Sequence, residues 1–231
     1  MSSNYTFSDK TKKITFAMMG IGALAIVYAL VRGIPAQRIW ANLLVDIFFF
    51  LSIGMGATFY MAKKYVSEAS YAIVYKRVYE AISGYLPIGA LLLILFFSMG
   101  FLGWHHIYHW MDKDVYIEKL ASGEHNPAYD HIIAAKAPYF NLFFFWGRIL
   151  LFFGLYWLAQ STFRKRSLEE DLTGDFMLYR KNITTSAWFL VVFGFTSPVL
   201  VWDTIMSIDT HWFSTMFGWY VFAGFWCTTM I

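Results

Sequence analysis

Cysteine is almost missing from this chain: among its 231 residues only Cys227 carries a thiol. One cysteine excludes an intrachain disulfide and cannot by itself hold an iron–sulfur cluster. The Cys-x-x-Cys-His sequence that attaches c-type haem is excluded for the same reason. We therefore expect no resident cofactor in this chain, and any iron–sulfur cluster or c-type haem that serves it must be held by a partner subunit.

Charged residues are also scarce, at 14% of the chain, and they leave a net charge of only +3. This small positive balance gives no basis for nucleic-acid binding. Hydrophobic residues make up 58% of the chain and aromatic residues 21%. Apolar runs of membrane-spanning length recur, and the many aromatic side chains suit lipid-facing helices and interfacial belts. The composition therefore predicts an all-α, polytopic transmembrane helical bundle rather than a water-soluble domain.

The apolar runs predict one transmembrane domain over residues 1–231, with five full spans and a truncated sixth. The predicted spans are residues 14–31, 39–62, 85–104, 140–159, 186–206 and 216–231. Because the last run is still apolar at Ile231, we expect the chain to be the N-terminal part of a longer protein. Ser167 followed by Glu170 matches a capping box, which predicts that a short surface helix begins there.

Lys and Arg residues mark one side of the membrane. They concentrate in the N-terminal tail, in the connector after the second span and in the connector after the fourth span. Cytoplasmic connectors carry such an excess, so the pattern predicts a multi-pass protein with a cytoplasmic N-terminus. The connectors after the first, third and fifth spans then lie on the outer side.

Three ionisable residues lie inside the predicted spans: Asp46, Arg148 and Asp203. A charge at such a depth costs about 2.5–3.5 kcal/mol on insertion scales, so it needs a partner, a water-filled cavity or a function. The predicted orientation places all three in the outer half of the membrane. We expect Asp46 and Arg148 to form a buried ion pair, and the three side chains to meet in a polar cavity or proton path. A salt bridge that only specifies the fold is the alternative.

A histidine cluster follows the third span, with His105 and His109 four residues apart and therefore expected on one helix face. His106 lies between them, and Asp209 and His211 belong to the connector on the same side. Three interpretations stay open: a metal site of the His/carboxylate type, a bis-histidine haem, or a hydrated surface that contacts a partner subunit. The spacing is not diagnostic of a metal, and we expect none.

The segment from Trp202 to Tyr220, and the motif from Ser207 to Tyr220 within it, is dense in polar and aromatic side chains. It resembles the second large membrane subunit of bacterial alternative complex III, a quinol:cytochrome c oxidoreductase. The similarity continues in order along the chain through residues 40–44, 56–59, 76–81, 87–90, 105–110 and 130–133. The resemblance implies a polysulfide-reductase-like (NrfD-like) four-helix bundle core with additional helices.

The resemblance also implies a function and a set of partners. The chain would be an integral subunit of a respiratory quinol oxidoreductase in the bacterial inner membrane, surrounded by lipid. It would give the complex a scaffold, and contribute a proton path or part of a quinol site near the periplasmic side. Menaquinone, iron–sulfur clusters and haem c are expected in partner subunits, which include a homologous quinone-binding membrane subunit and periplasmic electron-transfer subunits. A haem-b-binding cytochrome subunit, an ion-coupled transporter and a purely structural subunit are the alternatives.

Overall fold

The computed structural model describes residues 8–119 and 124–231. Within these residues the backbone forms eight α-helices, joined by turns and short 3₁₀ segments, and no β-strand. The helices are α1 (Asp9–Val31), α2 (Ala36–Val66), α3 (Lys76–Ser83), α4 (Leu86–Phe101), α5 (His131–Ala135), α6 (Leu142–Thr173), α7 (Phe176–Thr204) and α8 (Thr215–Met230). The predicted all-α class is confirmed.

Five helical stretches are long and apolar enough to cross a membrane. They are Asp9–Val31, Ala36–Val66, Lys76–Phe101, Leu142–Thr173 and Phe176–Ile208. These stretches correspond to the first five predicted spans, so the chain has the character of a multi-pass membrane protein. Helix α8 has 16 residues, fewer than the roughly 20 that a spanning helix needs, so a sixth span is not shown.

The described chain falls into two compact units, with the boundary between Leu43 and Leu44 inside α2. The first unit contains α1 and the beginning of α2. Helix α1 begins after Ser8, whose side chain accepts a hydrogen bond from the backbone N–H of Thr11. The second unit contains the rest of α2 and all later helices, and it holds every candidate site described below.

Helices α6 and α7 form the central pair of the second unit. Only Gly174 and Asp175 separate them, so the two helices run antiparallel. Gly174 adopts the left-handed conformation (φ 68°) that commonly ends a helix, and Asp175 caps α7 by accepting from the N–H of Met177. Ser167 is buried inside α6 and does not begin a surface helix, so the capping-box prediction is wrong. Its hydroxyl is packed in the protein core, where it is not available as an N-cap.

Helix α8 packs closely on its neighbours because two glycines leave room for it. A Cβ atom on Gly218 would lie 2.6 Å from the Cβ of Pro198 in α7. A Cβ atom on Gly56 in α2 would lie 2.2 Å from Oγ1 of Thr229. Small residues at such crossings let helix backbones approach each other in membranes, where packing rather than apolar burial drives association.

The two ends of the second unit differ in their connections. At the long-loop end, residues 102–119 and 124–141 join α4 to α6, and residues 205–214 join α7 to α8. At the short-loop end, residues 67–75 follow α2, and the two-residue turn joins α6 to α7. Phe97 of α4 and Phe145 of α6 lie with ring centroids 5.0 Å apart, which places the end of α4 beside the start of α6. The candidate site lies at this long-loop end.

Candidate functional site

Arg148 and Asp203 form a two-point ion pair between α6 and α7. Arg148 Nε donates to Asp203 Oδ2 at 2.8 Å, and Arg148 Nη2 donates to Asp203 Oδ1 at 3.0 Å. The arginine side chain is 8% exposed and the aspartate side chain is fully buried. Paired, parallel hydrogen bonds of this kind are among the strongest side-chain contacts, and they neutralise both charges inside the membrane span.

The remaining surface of the guanidinium is also covered. Arg148 Nη1 donates to the backbone carbonyl of Tyr139 at 3.1 Å. The guanidinium carbon lies 3.9 Å from the ring centroid of Tyr139 and 4.3 Å from that of Phe144, within cation–π range. Arg148 therefore ties the segment before α6 to the end of α7.

The end of α7 is held by the long loop as well. The Tyr108 hydroxyl donates to the backbone carbonyl of Thr204 at 2.6 Å, and Ser207 Oγ donates to the backbone carbonyl of Asp203 at 2.7 Å. Burial raises the pKa of Tyr108 well above its usual range, so its hydroxyl stays protonated and keeps donating. Asp203 is thus fixed by both its backbone and its side chain.

Asp46 does not take part in this pair, and the predicted Asp46–Arg148 bridge is wrong. Arg148 uses its donors on Asp203 and Tyr139, while Asp46 is exposed on α2. The rotation of α2 decides this outcome: Leu44 and Ile47 turn into the core, and Asp46 between them turns outward. The structure therefore brings together two of the three predicted intramembrane charges.

A cavity of about 270 Å³ adjoins the ion pair at the long-loop end. Its volume is slightly below the range of about 300–1,000 Å³ that is typical of small-molecule sites. Five aromatic side chains line it: Tyr139, Phe140, Trp202, Trp212 and Phe213. Lys136 and Asp209 add charged groups to the wall, and the ammonium of Lys136 donates to the backbone carbonyl of Thr210. The cavity therefore suits a flat, mainly apolar ring that carries polar substituents.

Two buried polar atoms of residues that line the cavity have no partner at normal hydrogen-bond distance and angle. They are the hydroxyl of Tyr139 and the indole Nε1–H of Trp202. Such atoms are costly in a protein interior, which makes them candidates for contact with a ligand or water. Burial raises the pKa of Tyr139, and the negative charge of Asp203 and a hydrogen-bond interaction with its carboxylate add to the effect, so the hydroxyl stays protonated at neutral pH.

A polar cleft of about 490 Å³ shares a wall with the aromatic cavity. Asp209 and Thr210 line both spaces. In the cleft, His211 Nε2 lies 2.6 Å from Asp130 Oδ2 and His211 Nδ1 lies 3.9 Å from Asp209 Oδ1. Burial raises the pKa of Asp130, but hydrogen bonds from the N–H groups of Ile133 and Ile132, with His211, lower it overall. Asp130 is therefore an ionised partner for His211 at neutral pH.

The histidines of the 105–109 segment do not share a helix face as predicted. Helix α4 ends at Phe101, and the chain turns at Gly103, which has a φ of 78°. His105 then folds back, so that its Nε2 bonds the carbonyl of Phe96 at 3.1 Å and its ring stacks on Phe96 at 4.5 Å. His109 is exposed. Burial lowers the pKa of His105, which favours its neutral form.

The exposed histidines pair with carboxylates. His106 Nδ1 lies 2.8 Å from Asp112 Oδ1, and His109 Nδ1 lies 3.9 Å from Asp112 Oδ2. Among the described residues no group of three His, Cys, Asp or Glu side chains has an arrangement that could hold a metal ion. His105 is the one buried histidine of the described chain, so two buried imidazoles that face each other across a haem are not found there.

A second polar cluster lies at the short-loop end of the same helices. Four side chains of α2, α6 and α7 bury polar atoms without a hydrogen bond of ordinary geometry: Tyr65, Ser167, Asn182 and Ser186. The Tyr65 hydroxyl interacts with Ser167 and Asn182.

Beside this cluster, Lys76 Nζ lies 3.3 Å from Glu170 Oε2 and 3.5 Å from Asp171 Oδ1.

Sequence reasoning did not single out Tyr139, Trp202 or Lys136. An aromatic residue next to a membrane span is so common in this chain that composition cannot distinguish a site from an interfacial belt. Two signals were available: Trp202 directly precedes Asp203, and the segment from Trp202 to Tyr220, which supplies much of the cavity lining, is dense in polar and aromatic side chains. Neither a protein-family model nor a curated protein sequence matches the chain. The class that fold and site define is thus a multi-pass α-helical membrane protein with a charged pair beside an aromatic cavity.

Proposed function

We propose that the chain is a membrane subunit of a respiratory quinol:cytochrome c oxidoreductase, related to the second large membrane subunit of alternative complex III. We further propose that its aromatic cavity takes a quinol headgroup at the long-loop end. The resemblance of residues 207–220 supports the first statement. The observation that carries the second is the aromatic cavity, in which Trp202 supplies a buried N–H without a hydrogen bond and Tyr139 supplies a buried hydroxyl beside Asp203.

The chemistry of quinol oxidation matches these features. A quinol that becomes a quinone loses two electrons and two protons, so its site needs a flat apolar slot, polar contacts for two oxygens, and a route for protons to water. The aromatic walls give the slot, and the Trp202 indole N–H and the Tyr139 hydroxyl give donors to the ring oxygens. The two electrons leave to partner subunits that hold iron–sulfur clusters and c-type haem.

Asp209 provides the proton route in this proposal. It lines the aromatic cavity on one side and the polar cleft on the other, where His211 and Asp130 lie. Its side chain is 68% exposed, so a proton that reaches Asp209 can pass to water or to His211. Carboxylate and imidazole groups within reach of one another are the usual carriers of such transfers.

Arg148 and Asp203 have a positioning role and are not proton acceptors in this proposal. Both carboxylate oxygens of Asp203 accept from Arg148, and the side chain is fully buried. The pair holds Tyr139 and the end of α7 on either side of the cavity, which keeps the two donors in place. Asp46, which is exposed on α2, has no part in this route.

The distribution of Lys and Arg gives the proposed orientation. A cytoplasmic N-terminus in the bacterial inner membrane places the long-loop end on the periplasmic side, where periplasmic iron–sulfur and c-haem subunits would dock. A homologous quinone-binding membrane subunit would share the complex, with menaquinone as the natural substrate. The chain would then combine a scaffold function with its quinol contact.

The experiment that tests the proposal measures quinol oxidation by the complex purified through this chain. Trp202→Phe removes the indole N–H and keeps an aromatic ring. We expect KM for a short-chain menaquinol to rise about 2- to 12-fold, the loss of one hydrogen bond, with little change in kcat. Trp188→Phe, at an exposed position of α7, is the matched control and should leave KM unchanged.

Three results would count against this assignment. A preparation that contains no haem-bearing partner and does not oxidise quinol would remove the respiratory function altogether, and would favour a transporter. An active complex in which Trp202→Phe and Asp209→Asn both behave like wild type would remove the quinol contact from this chain. A reduced-minus-oxidised spectrum with b-type haem assigned to this chain would establish the cytochrome alternative.

A further inference from the structure

Asp46 is an exposed carboxylate on α2, a helix of membrane-spanning length. It lies seven residues inside the apolar stretch that begins at Ile39, which is about 10 Å at 1.5 Å per residue. Its neighbours Val45, Phe49 and Phe50 are exposed apolar side chains. A surface of this kind faces hydrocarbon, and a charge that faces hydrocarbon is costly. Ionisable residues in membrane spans almost always face a protein interior, a water-filled cavity or one another.

No basic side chain among the described residues pairs with Asp46. Among residues 8–119 and 124–231, Asp46 has no ion pair or hydrogen bond through its side chain. Within the predicted spans the sequence has one basic residue, Arg148, and its donors are used on Asp203 and Tyr139. Residues 14–31 of α1 contain no Lys, Arg or His. The predicted spans of a second copy would offer the same set, so they would add no further positive charge.

An open groove of about 520 Å³ begins next to Asp46, between α2 and α8. From α2 it is lined by Val45, Phe49 and Ser52, and from α8 by Gly224 and Thr228. Small side chains on α8 allow a further helix to approach closely, and the aromatic ring of Phe49 gives it a surface to pack on. On the surface of α2, the carboxylate of Asp46 is therefore next to the residues that line the groove.

We propose that Asp46 and this groove form a docking face for a transmembrane helix of a different subunit, and that this helix carries a Lys or Arg at the depth of Asp46. Charge complementarity selects the partner, because the face offers the carboxylate of Asp46 and the groove beside it is lined by no charged side chain. The proposal requires a multi-subunit membrane assembly, but it does not depend on quinol chemistry.

Site-specific photo-crosslinking in native membranes tests the proposal. A benzophenone amino acid replaces Phe49, which flanks Asp46, or Leu151, which is an exposed position of α6 and serves as the control. We expect the probe at Phe49 to yield one defined adduct with another membrane polypeptide. The probe at Leu151 should yield only lipid adducts. Neither readout requires enzymatic activity, so failure of the proposed quinol function leaves the test intact.

Variants of Asp46 then show whether the carboxylate selects the partner. With the probe at Phe49, Asp46→Leu should reduce the adduct on the order of 3- to 30-fold, the range of an interhelical polar contact in membranes. Asp46→Glu should retain it. Lipid adducts alone at Phe49, or an adduct with this same polypeptide or a second copy, would overturn the proposal. An adduct of equal yield in Asp46→Leu would overturn the role of the carboxylate.

Discussion

Two polar clusters at opposite ends of the α6–α7 pair bury their side chains in different ways: the Arg148–Asp203 ion pair, and the neutral cluster of Tyr65, Ser167 and Asn182. At the long-loop end, Arg148 and Asp203 are charged, and every hydrogen bond between them has ordinary geometry. At the short-loop end, Ser167 of α6 and Asn182 of α7 are uncharged and fully buried, and their polar atoms interact only loosely with the hydroxyl of Tyr65. Ser167 lies 19 residues beyond Arg148 on α6, about 28 Å along the helix.

This difference shows what each kind of polar group demands of a membrane bundle. A buried charge is tolerated when its partner is in place, and the loss of one partner leaves an uncompensated ion. A buried neutral group costs less when it is poorly bonded, and it can be replaced by an apolar group of similar shape. The ion pair should therefore behave as an all-or-none element, and the neutral cluster as a tolerant one.

Removal of one member of the ion pair should have the largest effect. Arg148→Met leaves Asp203 buried without a partner, and we expect a loss of about 3–5 kcal/mol in the free energy of unfolding. The double variant Arg148→Met/Asp203→Leu removes both charges and should recover most of this loss. Denaturant titrations in mild detergent, followed by tryptophan fluorescence, measure the free energy of unfolding of the wild type, the two single variants and the double variant. These four values complete a double-mutant cycle. Single-variant losses below about 1 kcal/mol would contradict the all-or-none description.

Asn182→Leu at the short-loop end should cost less, about 0.5–1.5 kcal/mol, because the contact that it breaks joins the amide to the uncharged hydroxyl of Tyr65. The same unfolding titration measures it. A loss above about 2 kcal/mol would show that the amide is well bonded, through ordered water for example, and that the two ends are alike. Ser186→Ala, on the next turn of α7, is the control for a neighbouring hydroxyl.

The charged residues that surround the short-loop end should contribute least to the difference. Asp171 pairs with Arg77 and lies 3.5 Å from Lys76 Nζ, but its side chain is 52% exposed. We expect Asp171→Asn to cost about 0.2–1 kcal/mol at low salt. Screening should remove most of this cost at about 1 M NaCl, whereas the cost of Arg148→Met should persist there. A salt-independent loss for Asp171→Asn would show that this pair is effectively buried.

The spans were predictable because an apolar run of about 20 residues has few alternatives to crossing a membrane. The pairing of the three intramembrane charges was not. Depth along the sequence favoured Asp46 as the partner of Arg148, because Asp46 lies seven and Arg148 eight residues inside their predicted spans, whereas Asp203 lies three residues from the end of its span. The choice depends on the rotation of α2, which turns Leu44 and Ile47 inward and leaves Asp46 outside. Rotation follows from tertiary packing, and α2 is apolar on so many sides that its pattern does not reveal which face is buried.

The position of His105 could not be predicted from the sequence, for a related reason. The apolar run continues to Trp104, so the sequence predicts a helix that carries the histidines on its last turn. The structure ends α4 at Phe101, and a missing side chain at Gly100 makes room for the imidazole: a Cβ there would lie 2.7 Å from His105 Cε1. A glycine inside an apolar run is equally typical of a helix-packing residue, so its role in this fold-back could be seen only from the structure.

The burial of His105 predicts that the stability of the protein depends on pH. We expect this effect to be the smallest of those described. Burial lowers the pKa of His105 in the folded protein, although its hydrogen bond to the Phe96 carbonyl opposes the change. The unfolded chain then binds a proton near pH 6.5 that the folded chain does not yet bind. The stabilisation is complete above about pH 6.5 and is lost as the pH falls toward the lower, folded pKa.

His105→Gln removes the titration and keeps an amide that can donate to Phe96. We expect the variant to show a flatter decrease in Tm than the wild type between about pH 7.5 and about pH 5. His106→Gln, which changes an exposed imidazole paired with Asp112, should follow the wild-type profile there. If His105→Gln and the wild type lose stability in parallel, the acid sensitivity of the long-loop end originates in its exposed carboxylates, and the inward fold of His105 has no part in it.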